Sequence, residues 1–117
     1  MESRSEDRIE SKLNISVHVH LCEDKPELVG TTFHCEACDI SPHGMRFISE
    51  LGLPPGTLVN VTIGVETPDT NFLLFSEVCW EFESDGKLMK GVRFLEAEHT
   101  DLRRWLYSFD TIVSRAA

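Results

Sequence analysis

Across residues 13–22, apolar and polar side chains alternate without a break. Leu13, Ile15, Val17, Val19 and Leu21 fall on one side, and Asn14, Ser16, His18, His20 and Cys22 on the other. A period of two belongs to a strand with one buried face, whereas a helix would need apolar residues every three or four positions. The same period returns in residues 31–40, with Phe33, Cys35 and Ala37 facing one way, and in the short stretch 45–48. It continues in 58–65 (Val59, Val61, Ile63, Val65), in 72–82 (Phe72, Leu74, Val78, Trp80, Phe82) and in 87–95. Turn-forming residues separate these stretches: Asp24, Pro26 and Gly30; Ser41-Pro42-His43-Gly44; Leu53-Pro54-Pro55-Gly56; Thr67-Pro68-Asp69; Ser84-Asp85-Gly86. Six short strands joined by tight turns predict an all-β chain, a six-stranded antiparallel β-barrel.

Only the last segment changes period. Leu102, Trp105, Leu106, Phe109, Ile112 and Val113 recur at spacings of three and four, which predicts an amphipathic helix over about residues 98–113, packed on the barrel. Thr100 is the expected N-cap; Glu98 and Asp101 suit the positive end of the helix dipole and Arg115 the negative end. Residues 1–12 carry almost nothing apolar and read as a flexible arm ahead of a barrel-and-helix domain over 13–117.

Eleven Lys and Arg against twenty Asp and Glu leave a formal charge of −9, which repels polyanions and argues against a binder of polymeric nucleic acid or anionic membrane. The four cysteines, Cys22, Cys35, Cys38 and Cys79, are too sparse for a disulfide scaffold. The N-terminus lacks the apolar stretch of a signal peptide, and no run is long enough to insert in a membrane. The expectation is a cytoplasmic chain with reduced thiols.

Two patterns carry chemistry. Arg4 and Arg8 form an RxxxR pair in the arm, and Asp39, Ser41 and Gly44 form a DxSxxG turn after the second strand. Alone, each is ordinary: paired arginines in a charged arm are commonly solvated, and Asp, Ser and Gly are common turn makers. Together they complement a guanine nucleotide. An arginine fork matches guanine O6 and N7, or phosphate oxygens, while a carboxylate accepts from guanine N1–H and N2–H.

In order and spacing, the chain resembles the PilZ domain family, bacterial receptors for cyclic di-GMP. The matching features are Arg4-x3-Arg8, about thirty residues to Asp39-x-Ser41-x2-Gly44, then Glu77-Val78-Cys79-Trp80, Gly91-Val92-Arg93-Phe94 and a terminal helix. The resemblance implies a PilZ-type six-stranded barrel with a C-terminal helix, and an arm that wraps over the barrel when ligand binds. Arg4 and Arg8 would then contact phosphates and the guanine Hoogsteen edges, Asp39 and Ser41 would bond a guanine, and Gly44 would let the backbone approach the base. His43 and Arg46 are secondary candidates, for stacking and as a third cation. Position 3 is Ser rather than a third arginine, which points to one ligand per domain. The arm also departs from the family habit of a basic leader, because Glu2, Glu6, Asp7 and Glu10 outnumber Arg4, Arg8 and Lys12.

Other patterns bear on metal binding and catalysis. Cys35 and Cys38, three apart in a strand, point to opposite faces unless the strand breaks locally, so they predict no zinc site. His18, His20 and Cys22 share a strand face, which is ordinary for a polar surface. No nucleophile elbow, HExxH or phosphate-cradling glycine loop is present, and no enzyme activity and no cofactor are expected. The reading is a receptor that binds cyclic di-GMP and relays the signal to an unidentified downstream protein partner by ordering its arm. The alternative is a PilZ-like adaptor for motility or pilus machinery that does not bind nucleotide.

Overall fold

The structure is a computed structural model that describes residues 9–10, 13–64 and 71–116, with side chains described for 13–64 and 71–111. Arg4, Arg8 and the turn at 67–69 lie outside the described residues. In chain order the elements are β1 (Ile9–Glu10), β2 (Asn14–Leu21), β3 (Thr32–Ser41), β4 (Gly44–Ser49), β5 (Leu58–Gly64), β6 (Phe72–Ser84), β7 (Lys87–Phe94) and α1 (Leu102–Ala116). A single turn of 3-10 helix, Pro26–Leu28, joins β2 to β3.

Every pairing is antiparallel. The order β3-β2-β5-β6-β7-β4 closes on itself through β3–β4, giving the expected six-stranded barrel, and β1 adds to the edge of β3 beyond the end of β2. The alternating aliphatics form the interior by register: Ile15 lies opposite Ile63, Val17 opposite Val61 and Val19 opposite Val59, all buried. Between β6 and β7 the chain reverses through Asp85 and Gly86, both at positive φ (55° and 76°), the two-residue turn that matches strand twist.

Three one-residue bulges overturn parts of the facing read from alternation. In β2 the register slips between Val19 and Leu21, so Leu21 is 45% exposed and Cys22, expected on the polar face, is 2% exposed. In β6 the slip lies between Val78 and Trp80; Trp80 and Phe82 turn to the outer face, where Phe82 is 52% exposed rather than in the core. The third slip, between Ala37 and Asp39, shapes the candidate site. Because side chains alternate strictly, one inserted residue reverses every face beyond it.

The helix starts at Leu102 rather than near 98 and runs to 116 rather than 113. Thr100 is not its N-cap: its hydroxyl donates to the Ala97 carbonyl at 2.7 Å, closing the turn before the helix. Asp101 caps instead. Its carbonyl accepts from Trp105 N–H (2.8 Å), while its N–H and carboxylate bond the backbone of Leu73 on β6, each at 2.8 Å. These bonds to the edge of β6 fix where the helix can begin.

The helix closes one end of the barrel with Trp105, fully buried among the rings of Phe72, Phe94 and Phe109 at centroid distances of 5.5–5.8 Å. The other end is closed by the segment after β4. Leu53 is fully buried, and its N–H donates to Glu81 Oε2 at 2.7 Å. Lys90, which the alternation of β7 does not flag, is also fully buried; its ammonium donates to the carbonyls of Ser49 (3.2 Å) and Leu88 (3.0 Å) and lies 3.4 Å from Glu81 Oε2. These partners satisfy a charge that would be costly to bury alone.

Candidate functional site

Ser41 and Gly44 are opposed across the β3–β4 turn, with Pro42 and His43 at its tip. The buried Ser41 hydroxyl donates to the Gly44 carbonyl (3.1 Å). From outside the hairpin, Phe94 N–H donates to the His43 carbonyl (2.8 Å), and the Trp105 indole N–H donates to the Pro42 carbonyl (3.0 Å). The turn is therefore held by its own hydroxyl, by β7 and by the helix. Gly44 has a packing reason of its own: a Cβ there would lie 2.5 Å from the Val92 carbonyl oxygen of β7.

The slip at Cys38 decides where Asp39 points. Met45 and Phe47 face the core, so Arg46 between them faces out, and Asp39 stands opposite Arg46 in register. Without the extra residue Asp39 would share the inward face of Ala37; with it, the carboxylate reaches the outer face and Ile40 goes into the core. Arg46 donates to Asp39 Oδ2 from Nε (2.7 Å) and also from Nη2. This hydrogen bond and the carboxylate charge raise the guanidinium pKa further. Burial, then the Asp39 charge, push the Cys38 thiol up.

The row continues around the barrel. Arg46 is opposite Gly91, and Gly91 is opposite Trp80, so Asp39, Arg46, Gly91 and Trp80 form one outer row across β3, β4, β7 and β6. The Trp80 indole lies on the Gly91 backbone: a Cβ at Gly91 would meet Cε2, Cζ2 and Nε1 at 2.3–2.5 Å. One row further, Arg93 pairs with Glu77 on the exposed surface (2.7 Å), beside Gly44 in register.

Of the residues singled out in the sequence, Asp39, Ser41, His43, Gly44 and Arg46 are thus brought together at one turn, while Arg4 and Arg8 lie outside the described residues. Sequence reasoning missed two neighbours, Trp80 over Gly91 and the Trp105 tie to Pro42. The first has a signal: counting outward from the two-residue turn at Asp85–Gly86 puts residue 80 across from 91, an aromatic opposite a glycine.

Cys35 and Cys38 do flank a local break, the condition under which the spacing argument lapses. Among the described residues, however, no three His, Cys, Asp or Glu side chains gather as a metal site. Burial pushes the Cys35 thiol up to about 11, against the opposing pull of the nearby Lys90. Its contribution to stability is therefore present below the ordinary thiol value of 9.0 and is lost as pH rises through about 11. At pH 8 its thiolate fraction is about a hundredfold below that of an ordinary thiol. Exposed Cys79 should react with iodoacetamide at least about a hundredfold faster than Cys35, read by peptide mass spectrometry; comparable rates would contradict this burial.

The family model described as PilZ domain matches residues 2–108. This chain belongs to the PilZ domain family. Its fold is similar to that of Bacillus subtilis inhibitor of motility (MotI/DgrA), with a TM-score of 0.69 and 14% identity over 98% of this chain and 51% of that one. It is likewise similar to MrkH of K. pneumonia in the MrkH–c-di-GMP complex, with a TM-score of 0.70 and 15% identity over 99% of this chain and 54% of that one. The PilZ domain described here spans about half the length of each, and at these identities the likeness is one of fold. No curated protein matches the chain.

Proposed function

We propose that this PilZ domain is a receptor for cyclic di-GMP, with Arg4 and Arg8 on phosphates and guanine Hoogsteen edges and with Asp39, Ser41 and Gly44 forming the floor under one guanine. The observation that carries the reading is the placement of β1. Ile9 lies opposite Ile40 and Glu10 opposite Asp39, so the segment that follows Arg8 in sequence is paired to the strand that carries Asp39. Trp80 offers an aromatic face two strands from Arg46 on which a second purine can stack. The signal passes on by ordering of the arm, which changes the surface a downstream protein meets. Ordering costs roughly 1–2 kcal/mol per residue, so several charge-assisted contacts of about 1.5–3 kcal/mol each are needed to offset it.

A second reading has specific support. Asp39 is engaged by Arg46 and Gly44 is required by Val92, so both positions have structural reasons independent of nucleotide, as an adaptor that binds only protein would have. Calorimetry separates the two. The receptor predicts saturable heat with cyclic di-GMP that falls at least about a hundredfold in affinity, the loss of two charge-assisted contacts, in an Arg4→Ala/Arg8→Ala variant. No heat from the wild type at saturating ligand leaves the adaptor, and equal affinity in the two proteins refutes this site.

A further inference from the structure

We infer that Arg46 is an internal competitor for the proposed guanine site, a built-in stand-in for the base that ligand must displace from Asp39. The inference rests on the receptor reading above. Its basis is the match between two donor edges. A guanidinium presents two N–H groups on nitrogens joined through one carbon, and guanine presents the same arrangement at N1–H and N2–H. In the structure the Asp39 carboxylate receives the arginine version: Nε donates to Oδ2 at 2.7 Å, and Nη2 donates to the same oxygen.

Placement makes exchange feasible. Asp39 is almost entirely buried, with its side chain 7% exposed, and Arg46 stands against it on the outer row. The Arg46 side chain is 41% exposed and stands on the outer face of β4, with the backbone of Gly91 beside it and the Trp80 ring beyond. The Trp80 indole covers Gly91, so a swing away from Asp39 takes the half-exposed guanidinium outward into solvent, while the core-facing neighbours Met45 and Phe47 anchor the strand. The buried carboxylate thus keeps a pair of N–H donors in both states, the charged guanidinium when empty and the neutral guanine edge when filled. A base whose corresponding edge carries an acceptor, as adenine does at N1, cannot replace both arginine donors on Asp39, so the exchange favours guanine.

The competitor has a sign that a supporting contact would not have. Arg46→Leu should bind cyclic di-GMP about tenfold more tightly than wild type by calorimetry, because ligand no longer has to break a charge-assisted bond. Arg46→Lys keeps the charge but loses the two-donor fork, and should also bind more tightly, by several-fold. It serves as the second variant if leucine, which removes the Arg46 bonds to Asp39, prevents folding. In the unaltered protein, the Arg46 Nε–H resonance should show the Asp39 bond without ligand and shift when cyclic di-GMP is added, while cyclic di-AMP leaves it in place. Variants that bind no more tightly than wild type, or an Arg46 signal that ignores ligand, overturn the inference and leave the receptor reading standing. Absence of binding by wild type and variants alike removes both.

Discussion

Trp105→Ala should lower stability by about 4 kcal/mol and the melting temperature by roughly 15 °C. The indole is fully buried and touches three other rings, so truncation removes a large apolar surface and leaves a cavity where helix meets barrel. The barrel cannot collapse into that space, because Phe72 and Phe94 stand on strands paired along their length with β5, β6 and β7. A second effect reaches the candidate site, since the Pro42 carbonyl loses the indole N–H. Trp105→Phe separates the two: it keeps most of the packing and loses that hydrogen bond, which costs about 1 kcal/mol. Thermal unfolding followed by circular dichroism reads both. A melting temperature within a few degrees of wild type for the alanine variant would show that the helix does not depend on this ring.

Gly44→Ala should cost about 3 kcal/mol, large for a single methyl group. The methyl carbon would sit 2.5 Å from the Val92 carbonyl oxygen, and that oxygen is backbone in β7, the ladder partner of β4. Relief requires β4 and β7 to separate, which strains a ladder running from Gly44–Arg93 to Ser49–Leu88. Gly91→Ala makes a useful contrast. There the clash is with the indole of Trp80, a partly exposed side chain that can swing away, so the loss should be nearer 1 kcal/mol. Denaturant unfolding measures both, and equal effects would contradict the distinction between a backbone and a side-chain obstacle. The comparison bears on function as well. Lost nucleotide binding in Gly44→Ala would report a distorted hairpin, whereas Arg46→Leu adds no clash between β4 and β7.

The barrel was legible because its strands announce themselves. Ile15, Val17, Val19, Val59, Val61 and Ile63 alternate in two stretches that pair with their apolar faces inward, and Asp85–Gly86 dictates a two-residue hairpin whose register can be counted to Trp80 and Gly91. The grouping of Asp39, Ser41, His43, Gly44 and Arg46 was equally readable, since a tight turn keeps near neighbours in sequence near in space. Alternation, however, specifies faces only relative to an unbroken strand. The bulges at His20, Cys38 and Cys79 reverse Cys22, Asp39 and Phe82, and a bulge belongs to the pairing of two strands, not to either sequence alone. The burial of Lys90 depends on Ser49, Leu88 and Glu81 arriving from three segments, and the Asp39–Arg46 contact depends on the slip at Cys38. Local pattern thus determined which segments are strands and which residues share the turn. Strand pairing decided which way the residues beyond each bulge face, because an inserted residue is defined only where two strands meet.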